Sequence, residues 1–533
     1  MFVSSVWRDR LSLLSILAVA AAMRFWGLGW GLPNFLRSYS YHPDEFLVLG
    51  AAGSALVTGL PGLYNYPSLF IYLVALAIVS VAAYIPSPSM AEMYLAARVV
   101  TAIMGVCAIL LTYWAARRYW GNREAIIASI ALCIAPLHVQ HSHFATVDVP
   151  CTVFVAACLG FAAMVFGRGS MRDYLLCGLM AGLAAGTKYN AGLVVLSLIA
   201  AHFLGSSQRN AGLRRLLAAL GGALAAFVIS TPAVILRPGH FFYGLTYELR
   251  HASEGHGLVF AGTGSGLIYT FTSSLWYGLG PALAIFFLAA SIYAVRTNKK
   301  ALVILAFAVP YYLLISFSQV RFARYALPLF PAAALLIAWM ICDIWTRLSK
   351  RWQYGLAGAC AVILLGTMLY TLALCRLFVI SDPRDRAAEW IFANIPTGSA
   401  IGVADVPWFY SPPYSKNTGF GTLPQREKEM RKAPYYLQLT RSGQYRHRHW
   451  WVVSDYELDD ATRLKRASER MSESDRKEWE RLRAAREALE KYYTRRTFRN
   501  SLSFCGIYLG STRSLPHDMR YCAPTIWIYE RKK

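Results

Sequence analysis

The chain has 533 residues, of which 56% are hydrophobic and only 15% charged, with 53 Lys and Arg against 29 Asp and Glu for a formal net charge of +24. So apolar a composition excludes an ordinary soluble protein and fits a polytopic membrane protein whose main solvent is the bilayer. The basic residues sit in short clusters between apolar runs, the pattern of inner-side connectors, so the net charge does not point to nucleic acid as a partner.

In chain order, Arg8 and Arg10 precede an apolar run that reads as an uncleaved first helix rather than a secretory leader, because many more runs follow. Runs near the roughly 20-residue spanning length occupy 11–33, 95–116, 124–140, 150–167, 173–187, 190–205, 214–236, 267–295, 300–317, 325–345 and 354–375, which predicts about eleven membrane helices. The basic connectors "RRYWGNR" (117–123), "GRGSMR" (167–172), "SSQRNAGLRR" (206–215), "RTNKK" (296–300) and "TRLSKR" (346–351) all fall on the cytoplasmic side if the N-terminus is inside. The further run 67–85 is also long enough to span, but counting it would put all five connectors outside. It is therefore expected to be a re-entrant or interfacial helix on the outer face.

Cys107, Cys133, Cys151, Cys158, Cys177, Cys342, Cys360 and Cys375 fall in apolar runs and read as small core residues. Cys505 and Cys522 could pair in an oxidising compartment, a choice the sequence leaves open, and there is no CxxC or zinc spacing. An odd number of spans places everything after Cys375 outside. The expected organisation is a membrane domain over 1–378 and an extracytoplasmic α/β domain over 379–533, with a helix near 385–394 and strands near 400–403, 449–455 and 525–530. The stretch 459–493 is expected to be a charged, solvated surface helix or hairpin.

This topology gathers unusual polar residues on the outer face. Asp44 and Glu45 follow the first span in "SYSYHPDEFLVLG", Asp148 lies in "HVQHSHFATVDVP" between the third and fourth spans, and Lys188 lies in "GTKYN" after the fifth. Acids near hydrocarbon are costly and are kept for a partner or a task. The ordinary alternative for Asp44 and Asp148 is that each caps a helix start. Lys188, Arg98, Arg237, Arg321 and Arg324 sit at outer ends of spans, where cations are normally depleted; snorkelling to lipid headgroups accounts for any one, and a bound anion accounts for all five. Carboxylates beside phosphate-binding cations at an outer interface fit transfer of a sugar from a polyprenyl phosphate: a base takes the acceptor hydroxyl's proton while cations stabilise the departing phosphate. A second carboxylate would raise the pKa of the first or help hold a divalent metal, so no cofactor is required and a metal site is left open. His240, His251, Glu254 and His256 fit no standard zinc spacing and read as a polar gating loop.

The motifs "YHPDEF", "YNYPSLFIYL", "AARVVTAIMG", "HSHFATVDVP", "GLAAGTKYNAGL", "RFARYALPLFP" and "DPRDRAAEWIFANIPTGSAI" resemble, in order and spacing, the membrane-embedded GT-C glycosyltransferases of the family 39 and 83 type, which include protein O-mannosyltransferases and lipid A aminoarabinose transferases. The resemblance implies a GT-C fold with outer interfacial helices and an inverting glycosyltransferase. It implies Asp44 as the catalytic carboxylate, Glu45 as the acid beside it, Asp148 as the acid of the second outer loop, and Lys188, Arg321 and Arg324 as ligands of the donor's phosphate. The implied partners are a polyprenyl-phosphate-linked sugar, an acceptor that is a glycan, lipid or protein, and the lipids of a bacterial inner membrane. The loop 237–266 is too short for the β-trefoil of the eukaryotic mannosyltransferases, which weakens the case for a protein acceptor. A transporter or flippase of a lipid-linked substrate is the competing class; it would favour midplane charges and repeated halves, and neither is visible here.

Overall fold

The computed structural model describes residues 2–205, 208–439, 448–458 and 473–532. A helical membrane domain is followed by a C-terminal α/β domain, the fold class the sequence implies. Among the described residues, six helices are long and apolar enough to cross a bilayer: Met90–Tyr119, Asp148–Gly167, Gly212–Ser230, Lys299–Phe317, Leu329–Arg347 and Lys350–Arg376. The first expected span is the 24-residue helix Phe2–Phe25, and the other four are also helical, but shorter or interrupted. The run 124–140 breaks after Cys133 and restarts as Pro136–His141, where proline opens a helix at no cost in N–H bonds. The run 190–205 opens as the 3₁₀ turn Tyr189–Val194, and the run 267–295 is divided at Gly280, whose φ of +92° suits glycine, before the helix Pro281–Thr297.

The run 67–85 forms the helix Leu69–Ala82, whose 14 residues reach about 21 Å, short of the roughly 30 Å hydrocarbon core. It packs beside Glu45–Thr58, and both lean on Met90–Tyr119 through Val48, Ala52, Ile71, Val74, Tyr94 and Ala97. The pair is a helical hairpin with each arm too short to span the hydrocarbon core.

The helix Met171–Thr187 lies against 212–230 at backbone contact. A Cβ placed on Gly178 would sit 2.0 Å from the Ala219 carbonyl oxygen, and one on Gly182 2.2 Å from that of Ala223. Small residues four apart permit this approach. The seam fixes the helix end from which Lys188 emerges.

In the C-terminal domain, β1 (Ala400–Val403), β2 (Tyr436–Leu439), β3 (Trp450–Ser454), β4 (Tyr493–Phe498) and β7 (Ile526–Arg531) form one sheet in the order β2-β1-β3-β7-β4, while β5 (Ser501–Phe504) and β6 (Ile507–Ser511) form a separate hairpin. β1 runs parallel to β2 and β3; β7 runs antiparallel to β3 and β4. Of the charged stretch expected over 459–493, residues 459–472 lie outside the described residues. The rest is the helix Glu473–Tyr492, which lays Trp479, Leu482, Ala485 and Leu489 on Trp451, Trp527 and Tyr529 of the sheet and keeps its charges outside.

The two domains share a core. Leu502, Leu515, Met519, Cys522 and Ala523 belong to the apolar cluster built by the membrane helices. At the junction Arg384 is fully buried, bonded to both oxygens of Asp382 at 2.8 and 2.7 Å, and stacked 3.6 Å over the Tyr41 ring. Cys505 is exposed and Cys522 buried, both as free thiols.

Candidate active site

A cavity of about 830 Å³ opens between the membrane domain and the C-terminal domain. Asp44, Asp148, Lys188 and Arg324 all line it, although they come from four separate segments of the chain. Each is delivered by a break in regular structure. Asp44 immediately precedes the helix Glu45–Thr58, yet its side chain makes no capping bond. Asp148 lies in the first turn of Asp148–Gly167, again without a side-chain cap. The helix-cap alternative therefore does not account for either carboxylate.

Lys188 ends the helix Met171–Thr187 in extended backbone (φ −150°, ψ 118°), where a cation also suits the helix C-terminus. Its Nζ donates to Asp148 Oδ1 at 2.6 Å and lies 4.8 Å from the Tyr325 ring centre. The side chain turns into the protein, not out towards lipid headgroups. Arg324 sits on the 3₁₀ turn Ala323–Ala326 and serves three carboxylates at once: Asp44 at 3.1 Å, Asp148 at 3.8 Å and Asp518 at 3.8 Å.

Asp518, from the C-terminal domain, is a member of this cluster that the sequence does not reveal. Its fully buried carboxylate accepts the backbone N–H of Ala323 at 2.9 Å and of Arg324 at 2.8 Å, and stands 4.0 Å from His141 Nε2. It thus holds the backbone that carries Arg324. Asp518 lies 194 residues beyond Arg324, in "SLPHDMRYCAP", with no periodicity or motif to mark it.

The electrostatics follow from burial and company. Burial pushes the Asp44 carboxyl above its ordinary value, Asp148, Asp518 and Glu45 add to the rise, and Arg324 opposes it. Burial works against the Arg324 charge, but Asp44, Tyr521, Asp148 and Asp518 together hold its pKa well above normal. His42, which accepts the Asp44 N–H at 3.2 Å, is kept neutral mainly by burial.

The remaining expected site residues lie elsewhere. Glu45 points away from the cavity and forms a bidentate pair with Arg98, 2.8 Å at each oxygen, with both side chains fully buried. Glu45 also accepts the Ala145 N–H at 2.8 Å and the Ser40 hydroxyl, while Arg98 donates to the carbonyls of Leu28 and Trp30. Both groups are saturated, so this pair braces the segment 40–45 against the helix Met90–Tyr119 and offers nothing to a ligand. Arg321 spends its guanidinium on Ser318 O, Thr263 Oγ1 and Gly264 O, tying down the loop before Gly266. Arg237 is exposed at a helix junction outside the cavity lining.

His251 and His256 do reach the cavity, with ring centres 5.2 Å apart, along with Glu248, whose carboxyl burial pushes up. Among the described residues no group of three or more His, Cys, Asp or Glu is arranged to hold a metal ion. The three aspartates take Arg324 and Lys188 as their counter-cations.

Residues 90–235 match the family model described as dolichyl-phosphate-mannose-protein mannosyltransferase. The fold is similar over nearly its full length to ArnT from Cupriavidus metallidurans bound to undecaprenyl phosphate, with 15% identity, 96% of this chain and 97% of that chain covered, and a TM-score of 0.52. The apo state of the same ArnT aligns at 16% identity over 87% and 96% of the two chains, with a TM-score of 0.53. The Archaeoglobus fulgidus oligosaccharyltransferase in its apo form aligns at 14% identity over 96% and 75%, with a TM-score of 0.50. No curated protein sequence matches the chain.

Proposed function

We infer, from the premise that this chain is a membrane glycosyltransferase of the GT-C superfamily, of the protein mannosyltransferase and ArnT type, that it moves a sugar from a polyprenyl-phosphate donor to an acceptor hydroxyl by a single inverting displacement. The carrying observation is the convergence of Asp44, Asp148, Lys188 and Arg324 on one cavity. Asp44 is the base. It takes the acceptor's hydroxyl proton as that oxygen attacks the anomeric carbon, and the bond from that carbon to the phosphate oxygen breaks.

Lys188 and Arg324 hold the phosphate and receive its growing charge. In the ligand-free protein both cations are occupied by carboxylates. A bound phosphate competes for Arg324 and draws it from Asp44, which raises the proton affinity of Asp44 when a base is needed. Asp148 keeps Lys188 in position, and no step is routed through a metal. The placement of this chemistry at the outer face of a bacterial inner membrane, with the N-terminus cytoplasmic, is supported by the basic connectors.

The test is transfer from undecaprenyl-phosphate sugars by full-length protein in lipid nanodiscs, with products identified by mass spectrometry. Asp44→Asn should lower the transfer rate by about 10²–10⁴-fold with little change in donor affinity. Wild-type rates in that variant would remove Asp44 from the base role. Lys188→Ala should weaken binding of undecaprenyl phosphate by about tenfold or more.

A further inference from the structure

The hairpin of β5 and β6 stands apart from the five-stranded sheet and lines no part of the cavity. β5 packs against the helix Lys350–Arg376, where Arg376 Nη1 donates to Ser503 Oγ at 3.1 Å, and Phe504 meets Trp26 edge-on with ring centres 6.4 Å apart. Trp26 directly follows the first helix, and Lys350–Arg376 leaves Val362 and Leu365 exposed. The hairpin therefore sits where two membrane helices end, continuous with the surface they present to lipid.

Its sequence does not suit water. Phe504 to Leu509, "FCGIYL", is an uncharged and largely apolar run, whereas a hairpin with one wet face alternates apolar and polar residues. One side is used: Leu502 is buried and Leu509 half-buried against the cluster built by the membrane helices. The other is not, since Ile507 and Tyr508 are 50% and 66% exposed. The turn has φ of +47° at Cys505 and +80° at Gly506, with Phe504 paired to Ile507, a two-residue geometry that favours Asn-Gly or Asp-Gly. Cysteine, a small hydrophobe, stands where the polar residue would face water.

Three arginines lie at the base of this hairpin. Arg376 is the one bonded to Ser503, Arg386 donates to the Arg499 carbonyl at 3.0 Å and to Asn500 Oδ1 at 2.7 Å, and Arg499 is exposed. None of the three meets a carboxylate within ion-pair distance among the described residues. Tyr and Trp favour the boundary between headgroups and hydrocarbon, and anionic headgroups attract arginine just above it.

We propose that the hairpin is a membrane-docking element: its tip, Cys505 to Tyr508, enters the headgroup boundary beside the ends of the two helices, and Arg376, Arg386 and Arg499 hold anionic phospholipid headgroups. So placed, it pins the C-terminal domain to the membrane surface at the cavity's side of the molecule.

The experiment labels Cys505, the exposed thiol of the chain, with a polarity-sensitive fluorophore in full-length protein in nanodiscs. Cys505→Ser supplies the background from the half-buried Cys107, Cys342 and Cys360, and Ala484→Cys in that variant puts a reference label on the exposed face of Glu473–Tyr492. The Cys505 label should be quenched by phosphatidylcholine spin-labelled high on its acyl chain and shielded from aqueous iodide; the label at position 484 should do the opposite. With the spin label moved to phosphatidylglycerol at equal mole fraction, quenching at Cys505 should rise about twofold or more. Joint Arg376→Gln, Arg386→Gln and Arg499→Gln should remove that rise and keep the shielding from iodide, which certifies the fold.

Three outcomes would overturn the proposal. The Cys505 label could be open to iodide and untouched by labelled lipid, which leaves the hairpin in water. It could be shielded from both quenchers, in which case a protein surface covers it. The phosphatidylglycerol preference could survive loss of the three arginines, which would remove them from headgroup binding.

Discussion

Asp44 and Glu45 are neighbours in sequence with opposite fates. The Asp44 carboxylate reaches the cavity and shares Arg324 with two other acids, so its environment changes if any partner moves. The Glu45 carboxylate has both oxygens filled by Arg98, Ser40 and the Ala145 N–H, and nothing is left to exchange. A helix start explains the difference: consecutive residues there diverge in direction, and one faces the cavity while the next faces the helix Met90–Tyr119 behind. The proposed mechanism assigns reactivity to the carboxylate that is under-satisfied, not to the one that is best paired.

The sharpest way to break this comparison is to neutralise each acid in turn. Glu45→Gln strands the buried Arg98 charge and should cost about 3–5 kcal/mol of stability. That loss would be read as a fall in the thermal unfolding midpoint of purified protein. Asp44→Asn leaves Arg324 with Asp148 and Asp518 and should change stability by no more than about 1 kcal/mol while abolishing most transfer. Equal destabilisation by the two would mean that Asp44 is also a brace.

A second contrast concerns the backbone behind Lys188. Gly182→Leu forces a side chain into the Ala223 carbonyl and should cost about 1–3 kcal/mol, with weaker binding of undecaprenyl phosphate because the helix end carrying Lys188 shifts. A Cβ on Gly50 would meet nothing within 4 Å, so Gly50→Ala should be neutral or slightly stabilising, by about 0.5–1 kcal/mol. If both variants melt alike, close packing does not set the position of Lys188.

What was legible in the sequence divides along the same physical line. Hydropathy outlined the membrane helices and marked 67–85 as a helix, because that signal is local and the bilayer length is fixed. The same signal, with the positive connectors, put Asp44, Asp148, Lys188 and Arg324 in outer loops. The two signals could not tell these from Glu45, Arg98, Arg237 and Arg321, since what separates the two sets is the direction of a side chain and the partners it meets. Asp518 was out of reach for another reason: it joins the cluster, through Arg324, only by the docking of the C-terminal domain, and a residue in an irregular segment carries no mark of that docking.

Asp518 provides the most delicate test of the shared cluster. Its carboxylate repels a second negative charge on Asp44 and competes with Asp44 for Arg324, and both effects keep Asp44 protonated to higher pH. Activity that needs ionised Asp44 should therefore rise with pH along an acid limb lying above the ordinary carboxylate range. Asp518→Asn removes the repulsion and releases Arg324 towards Asp44, so the limb of kcat/KM should move to lower pH, by less than about one unit at an effective dielectric near 20. A residue that merely held the fold together would lower activity at every pH and leave the limb where it was. A limb that stays fixed, or moves up, would separate Asp518 from the electrostatics of Asp44 and reduce its role to anchoring the turn that carries Arg324.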